Sequence, residues 1–298
     1  MKAFARFGFA VLVGFILALG AFAEAIDWTK ADEVQTGVRL VRRDFTEPRL
    51  MKTAVMRIDL KTPGLRFTGT HRDEKWGEPM PDYTNGVKII RTKRVRTQDF
   101  MLAERAKGRD MIVAFNSAPW SPWCPPYTHK YGDPHCLNIT EGVVISDHNR
   151  KQNHLFVAWD DGRCEITESI PTNSYAKVQV AHAGFDIIMK GGKAVGPKGP
   201  KMSLNPRIAY GLSSDGRYMY VITVDGRQPE WSLGADMNDL RSMMTDAGAA
   251  DAVNMDGGGS TTMLYWNGTE PVMVNRHDPA RKSRRNNGTN MGIYIQRK

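Results

Sequence analysis

The sequence predicts an α+β (mixed α/β) fold, built from short-stranded mixed β-sheets with a few packed helices. Short alternating apolar runs recur along the whole chain, which is the period of half-buried strands. Only two segments carry a convincing helical period. The last large unit reads hairpin, helix, strand, hairpin, an order that packs helices on sheets.

The first element stands apart from that pattern. "MKAFARFGFAVLVGFILALGAFAEA" begins with Lys2 and Arg6, continues apolar from Phe7 to Phe22, and exits through small residues at Ala23 and Ala25. This is the layout of a cleaved signal peptide. Residues 1–25 are therefore expected to be removed, with residues 26–298 forming one domain in a secreted or periplasmic protein. The apolar run is short for a membrane span, which takes about 20 residues.

"GVRLVRRDF", "LMKTAVMRIDL" and "GLRFTGT" follow as strands between turn residues. "RTQDFMLAERAKGRD" reads as a helix with Thr97 as N-cap and Gly108 as stop. "MIVAFNS" is a buried strand ending at Asn116. "APWSPWCPPYTHKYGDPHC", residues 118–136, carries prolines at 119, 122, 125, 126 and 134 and is expected to form an irregular surface insertion. "EGVVISD", "HLFVAWDDG" and "RCEITES" are short strands, and "AHAGFDIIMKGGKAV" is strand, turn, strand. "RIAYGLSSDGRYMYVITVDG" is a hairpin turning at Ser213–Gly216. A helix from about Asp236 to Ala247 places Met237, Leu240, Met243 and Met244 on one face, with Gly248 as its stop. The strand Ala252 to Met255 then enters a triple glycine.

The chain has 298 residues, with 41 Lys+Arg against 32 Asp+Glu and a formal charge of +9. A basic exported protein suits anionic partners such as phosphate-bearing glycans, and peripheral association with the cell envelope. Nucleic acid is not expected as a partner outside the cell. Of the three cysteines, Cys124 and Cys136 flank the loop "PPYTHKYGDPH", which in an exported protein reads as a disulfide. Cys164 reads as a buried strand residue. The seven histidines show no zinc-protease spacing, and His182 reads as structural.

Two segments share one grammar. "YVITVDGR" and "AVNMDGGG" are apolar strands that end in Asp-Gly, joined by the second helix. A right-handed crossover would set those strands parallel and bring Asp225 and Asp256 to the same end of a sheet. Paired carboxylates can divide acid and base work at a glycosidic bond. They can also hold a divalent cation such as calcium or magnesium, and the sequence leaves a metal site open. Gly257, Gly258 and Gly259 let the backbone approach a ligand and offer successive amides to an anion. Ser260 and Thr261 add hydroxyls. The frame is neither a Walker loop nor a nucleophile elbow. Arg207 in "NPRIAYGL" can hold a phosphate, and Asn116 can bond a sugar hydroxyl or cap a turn.

Taken together, the blocks "NPRIAYGL", "VDGR", the helix and "NMDGGGSTTM", in that order, resemble the phosphodiester glycosidase (N-acetylglucosamine-1-phosphodiester α-N-acetylglucosaminidase) domain family, which includes bacterial exopolysaccharide-biosynthesis-like relatives. The resemblance is strongest over residues 205–265 and extends over about 50–296. It implies hydrolysis of a sugar-1-phosphodiester at the sugar–oxygen bond, giving free sugar and a phosphomonoester. Carried over by position, it places Asp225, Asp256, Arg207, the three glycines and Ser260 in the site, with Asn116 opposite. Arg284 or Arg285, in "SRRNNGTNMGIYI", would face the phosphate. Ser117 and Ala118 depart from the glycines expected after Asn116, and residues 119–137 have no family counterpart. Two further readings stay open at this point: a divalent-metal phosphodiesterase that breaks the P–O bond, and a non-enzymatic binding protein for anionic glycans.

Overall fold

The computed structural model describes residues 24–81, 83, 86–123, 129–148, 154–196, 203–277 and 284–297. Most of residues 1–25 and Cys124 lie outside them, and with these the expected signal peptide and the Cys124–Cys136 bridge. No helix among the described residues is long and apolar enough to cross a membrane.

Among the described residues, four antiparallel sheets account for the strands. The largest has eight strands, and its centre runs Met51–Asp59, Tyr218–Val224, Arg207–Leu212, Asp251–Asn254 and Asp186–Lys190. Two five-stranded sheets are centred on Asp110–Asn116 and on Val178–Ala183. Alternation explains the packing. Ile208, Tyr210 and Leu212 point into a core shared with Phe67, Phe115, Met263 and Ile293 of one five-stranded sheet and Phe156 and Val180 of the other. Ala209 of the same strand faces the opposite way, onto the second helix.

That helix, α2 (Met237–Ala247 in chain order, after α1, Thr97–Ala106), follows the sequence closely. Asp236 caps it in a reciprocal capping box with Asp239. Gly248 ends it with φ 98°, the left-handed conformation that suits glycine. Met237, Leu240, Met243 and Met244 all bury against the eight-stranded sheet. Gly211 lies beneath them, where a Cβ would come within 2.7 Å of Met244 Sδ.

The first helix needs a correction. Arg96, in extended conformation, is the N-cap of α1 and makes no side-chain cap. Thr97 instead starts the helix and donates its hydroxyl to Asn290 Oδ1 at 2.7 Å, because it is buried beside the Asn290–Ile295 strand. The insertion is also more regular than expected. Trp120–Ser121 and Tyr131–Pro134 pair in a small sheet with Thr92–Lys93. Such edge pairing tolerates proline at strand ends.

One residue joins the three large sheets. Tyr210 is fully buried, its ring edge-on to Phe115 at 5.1 Å and to Phe156 at 5.6 Å. Its hydroxyl donates to the Asn116 carbonyl at 2.6 Å. The end of the Asp110–Asn116 strand is thereby fixed against the strand that begins at Arg207.

Candidate active site

Tyr218–Val224 and Asp251–Asn254 both run antiparallel to Arg207–Leu212, which lies between them. They are therefore parallel to each other, one strand apart, and Asp225 and Asp256 emerge at the same end. Beyond that the two corners differ.

Asp256 opens into a cleft of about 500 Å³. It is lined by Asp256, the three glycines and the arginines Arg207, Arg227 and Arg285. Trp120, Trp123 and Phe185 add aromatic rings to the lining. Burial pushes the Asp256 carboxyl up to about 6, while the Ser260 hydroxyl, the Arg285 guanidinium and the Trp120 indole pull it back. Arg285 Nη1 also reaches Ser260 Oγ at 3.4 Å, so Ser260 stands between acid and arginine. Arg94 lies over the Trp120 ring at 4.3 Å and backs this corner with further positive charge.

Asp225 does not line the cleft. It is buried, and both its oxygens are occupied by groups outside the cleft wall. Trp231 Nε1 donates to Oδ2 at 2.7 Å and the Arg276 amide donates to Oδ1 at 2.9 Å. Burial raises its pKa, and those two donors oppose the rise. Its hydrogen bonds tie it to Trp231 and to the Arg276 backbone, and it is not among the residues that line the cleft.

The glycines are needed for close approach. A Cβ on Gly257 would meet the Pro206 carbonyl at 2.7 Å, and one on Gly259 would meet Arg285 Cζ at 3.0 Å. Gly258 has φ 61°, and a Cβ there would lie 3.3 Å from the Arg227 guanidinium. The loop is thus bare because two arginines lie on it. Gly258 N–H donates to Pro206 O, while the Gly257 and Gly259 amides have no hydrogen bond among the described residues.

Asn116 plays a different part from the expected sugar contact. It is fully buried beneath the loop. Its Nδ2 donates to Asp256 O at 2.6 Å, and its Oδ1 accepts from Thr262 N–H at 2.9 Å. One side chain therefore holds both ends of the glycine loop, buried and away from the residues that line the cleft. Thr261 is buried too, and its hydroxyl is not on the cleft wall. The adjacent Ser117 shares a 2.7 Å hydrogen bond with His182, whose imidazole burial pushes down to about 3.

Of the arginines, Arg207 is braced by Ala235 O at 3.1 Å and Ser203 O at 2.9 Å. Arg284 turns away to Gln98, whereas Arg285 faces the cleft. Arg227 was not singled out from the sequence, although it directly follows the Asp225-Gly226 pair. It has φ 61°, an uncommon conformation for a non-glycine residue, and its guanidinium grips Asn205 Oδ1 at 2.7 Å. Among the described residues no group of three or more His, Cys, Asp or Glu side chains is placed to hold a metal ion.

The model of the phosphodiester glycosidase family matches residues 126–294, more than half of the chain. Solved structures that share the fold include the following three. One is the zebrafish N-acetylglucosamine-1-phosphodiester alpha-N-acetylglucosaminidase catalytic domain, auto-inhibited by its pro-peptide. It is 16% identical with a TM-score of 0.60, over 87% of this chain and 83% of that one. A hypothetical protein from Synechocystis is 10% identical with a TM-score of 0.57, over 88% of this chain and 63% of that one. A protein from Burkholderia pseudomallei described as exported is 13% identical with a TM-score of 0.50, over 82% of this chain and 74% of that one. No curated protein sequence matches.

Proposed function

The chain belongs to the phosphodiester glycosidase family, and from that premise we propose that it hydrolyses a sugar-1-phosphodiester at the sugar–oxygen bond, with Asp256 as the proton donor. The observation that carries this reading is a carboxyl held near pKa 6 in a cleft lined by three arginines. A phosphate monoester has its second pKa at about 6 as well. Proton transfer from Asp256 to the departing phosphate oxygen is therefore close to balanced.

In this reading Arg207, Arg227 and Arg285 bind the diester and stabilise the charge that grows on the phosphate as the bond breaks. The free Gly257 and Gly259 amides add neutral donors. The bond between the anomeric carbon and oxygen breaks, and its electron pair stays on the phosphate. Water supplies the new oxygen at the sugar carbon and releases a proton that restores Asp256. Trp123 and Phe185 present apolar faces to the sugar, with relative exposures of 64% and 47%. No step requires a divalent cation or the Asp225 carboxylate.

We place this activity outside the cytoplasm, on glycans of the cell envelope, on the strength of the basic, apolar and small-residue order of residues 1–25. The test is product analysis with an anomeric sugar phosphodiester. Free sugar together with a phosphomonoester is expected. Sugar-1-phosphate as the first product would overturn the reading in favour of P–O cleavage.

A further inference from the structure

A cavity of about 440 Å³ opens where Tyr218–Val224 begins and Met51–Asp59 ends, beside the segment around Trp28. This is the opposite end of the eight-stranded sheet from Asp256. The strand Tyr218–Val224 has 7 residues and so spans about 20 Å between the two ends. Nothing in the proposed reaction uses the cavity. Register explains its make-up. Arg39 pairs with Arg57, and Arg57 pairs with Tyr220. The side chains of Arg39, Arg57 and Tyr218 therefore leave the same face of the sheet. Trp28 is brought over that face by its indole N–H, which donates to Ala247 O at 3.0 Å.

Two of the three arginines there are already engaged. Arg39 Nη1 donates to Trp28 O at 2.9 Å and its Nη2 to Glu33 at 3.3 Å. Arg217 Nη2 donates to Asp59 Oδ2 at 2.8 Å, and the Lys61 amide donates to Oδ1 at 3.0 Å. Arg57 is different. It is half-buried, and its guanidinium carbon lies 4.7 Å from the centre of the Trp28 ring and 4.5 Å from that of Tyr218. It makes no hydrogen bond and no ion pair among the described residues. Two rings thus hold a guanidinium in place while its N–H edge lacks an acceptor. A ligand that meets this edge does not have to order the side chain first.

Charge sets the class of ligand. Arg39, Arg57 and Arg217 line the cavity against the carboxylates of Glu33 and Asp59, a surplus of one positive charge. A monoanion balances that surplus, and the planar fork of an arginine matches a pair of oxygens. The volume is in the range of small-ligand pockets, about 300–1,000 Å³. We propose that this cavity binds a singly charged oxyanion, a carboxylate or a phosphodiester group, through the N–H edge of Arg57. The site is separate from the cleft, and the inference does not depend on the cleavage reading.

Trp28 supplies a local reporter. Its indole N–H signal in a proton–nitrogen correlation spectrum is assigned by its loss in Trp28→Phe. The probes are glucuronate, which carries a carboxylate, and dimethyl phosphate, which carries a phosphodiester. At least one should move the Trp28 signal saturably, and the tighter of the two names the source of the anion. Binding in the cleft is read apart from this, at Trp120 and Trp123. Arg57→Lys keeps the charge but loses the fork, and should weaken binding at Trp28 about tenfold. A Trp28 signal that neither probe moves saturably, or equal affinity in Arg57→Lys, would overturn the inference. Should Arg57→Lys fail to fold, Tyr218→Leu is read in its place. Loss of one supporting ring should weaken binding several-fold, and unchanged affinity rejects the site.

Discussion

Asp225 and Asp256 end parallel strands in one sheet, each before a glycine, and their surroundings are opposite. Trp231 and the Arg276 amide close over Asp225. Asp256 keeps an opening to the cleft, with Ser260 and Arg285 on one flank. A strand-end Asp-Gly pair therefore says where a carboxylate will be, and the segment that folds over it decides whether it can meet a ligand.

Exchanging each acid for its amide breaks the comparison most directly. Asp256→Asn should lower kcat by about 10²–10⁴, the usual worth of a positioned proton donor. Asp225→Asn should leave kcat within a few-fold but lower stability by roughly 1–3 kcal/mol, because an amide nitrogen would face one of the two N–H donors. Comparable activity losses in both variants would restore Asp225 to the catalytic machinery. Steady-state kinetics with thermal unfolding of the same samples reads both outcomes.

Arg285→Ala comes next, with an expected loss of about 10²-fold for a missing charge-stabilising donor. It has a second signature. Arg285 holds the Asp256 pKa down, so its removal should move the pH profile upward. In the wild type, kcat/KM should fall as pH rises through about 6, because the donor loses its proton. A rate that climbs through that pH instead would make Asp256 a base.

Stability sharpens the contrast further. The folded-state pKa of Asp256 lies above the ordinary carboxyl value of 3.8, at about 6. Between those values the folded protein holds a proton that the unfolded chain has released, so this group's contribution to stability falls as pH rises. Asp256→Asn removes that loss. The variant should be more stable than wild type at pH 7, by up to roughly 3 kcal/mol, and no different near pH 4. Denaturant unfolding at the two pH values measures it.

The smallest effect expected is from Gly258→Ala. The left-handed backbone there costs a side chain about 1–2 kcal/mol, and the new methyl would press on Arg227. A several-fold rise in KM with little change in kcat is expected.

Much of this was legible in the residues, and what was not has a common cause. The caps of α2 are local, so Asp236 and Gly248 marked its ends. The Asp256 loop announced itself because three glycines have no packing value. Asn116 was visible as a polar strand end, but its partners lie 140 and 146 residues away, and only folding shows that its amide ties down the loop. Asp225 likewise meets Arg276 51 positions later. Arg227 could have been found, since it ends the same "VDGR" block that drew attention to Asp225. The choice between Arg284 and Arg285 turns on a single residue of register, which no composition reveals.

Tyr210 carries a consequence for how such a chain can diverge. Its ring lies where three sheets meet, and its hydroxyl holds the carbonyl of the residue that ties down the glycine loop. Interior and cleft are therefore not independent targets of selection. A drift in the hydrophobic centre that tilts this ring also shifts Asp256, so sequence change in the interior is filtered by activity as well as by folding. At the mouth the side chains of Trp123 and Phe185 are exposed, and they are free to vary with the substrate.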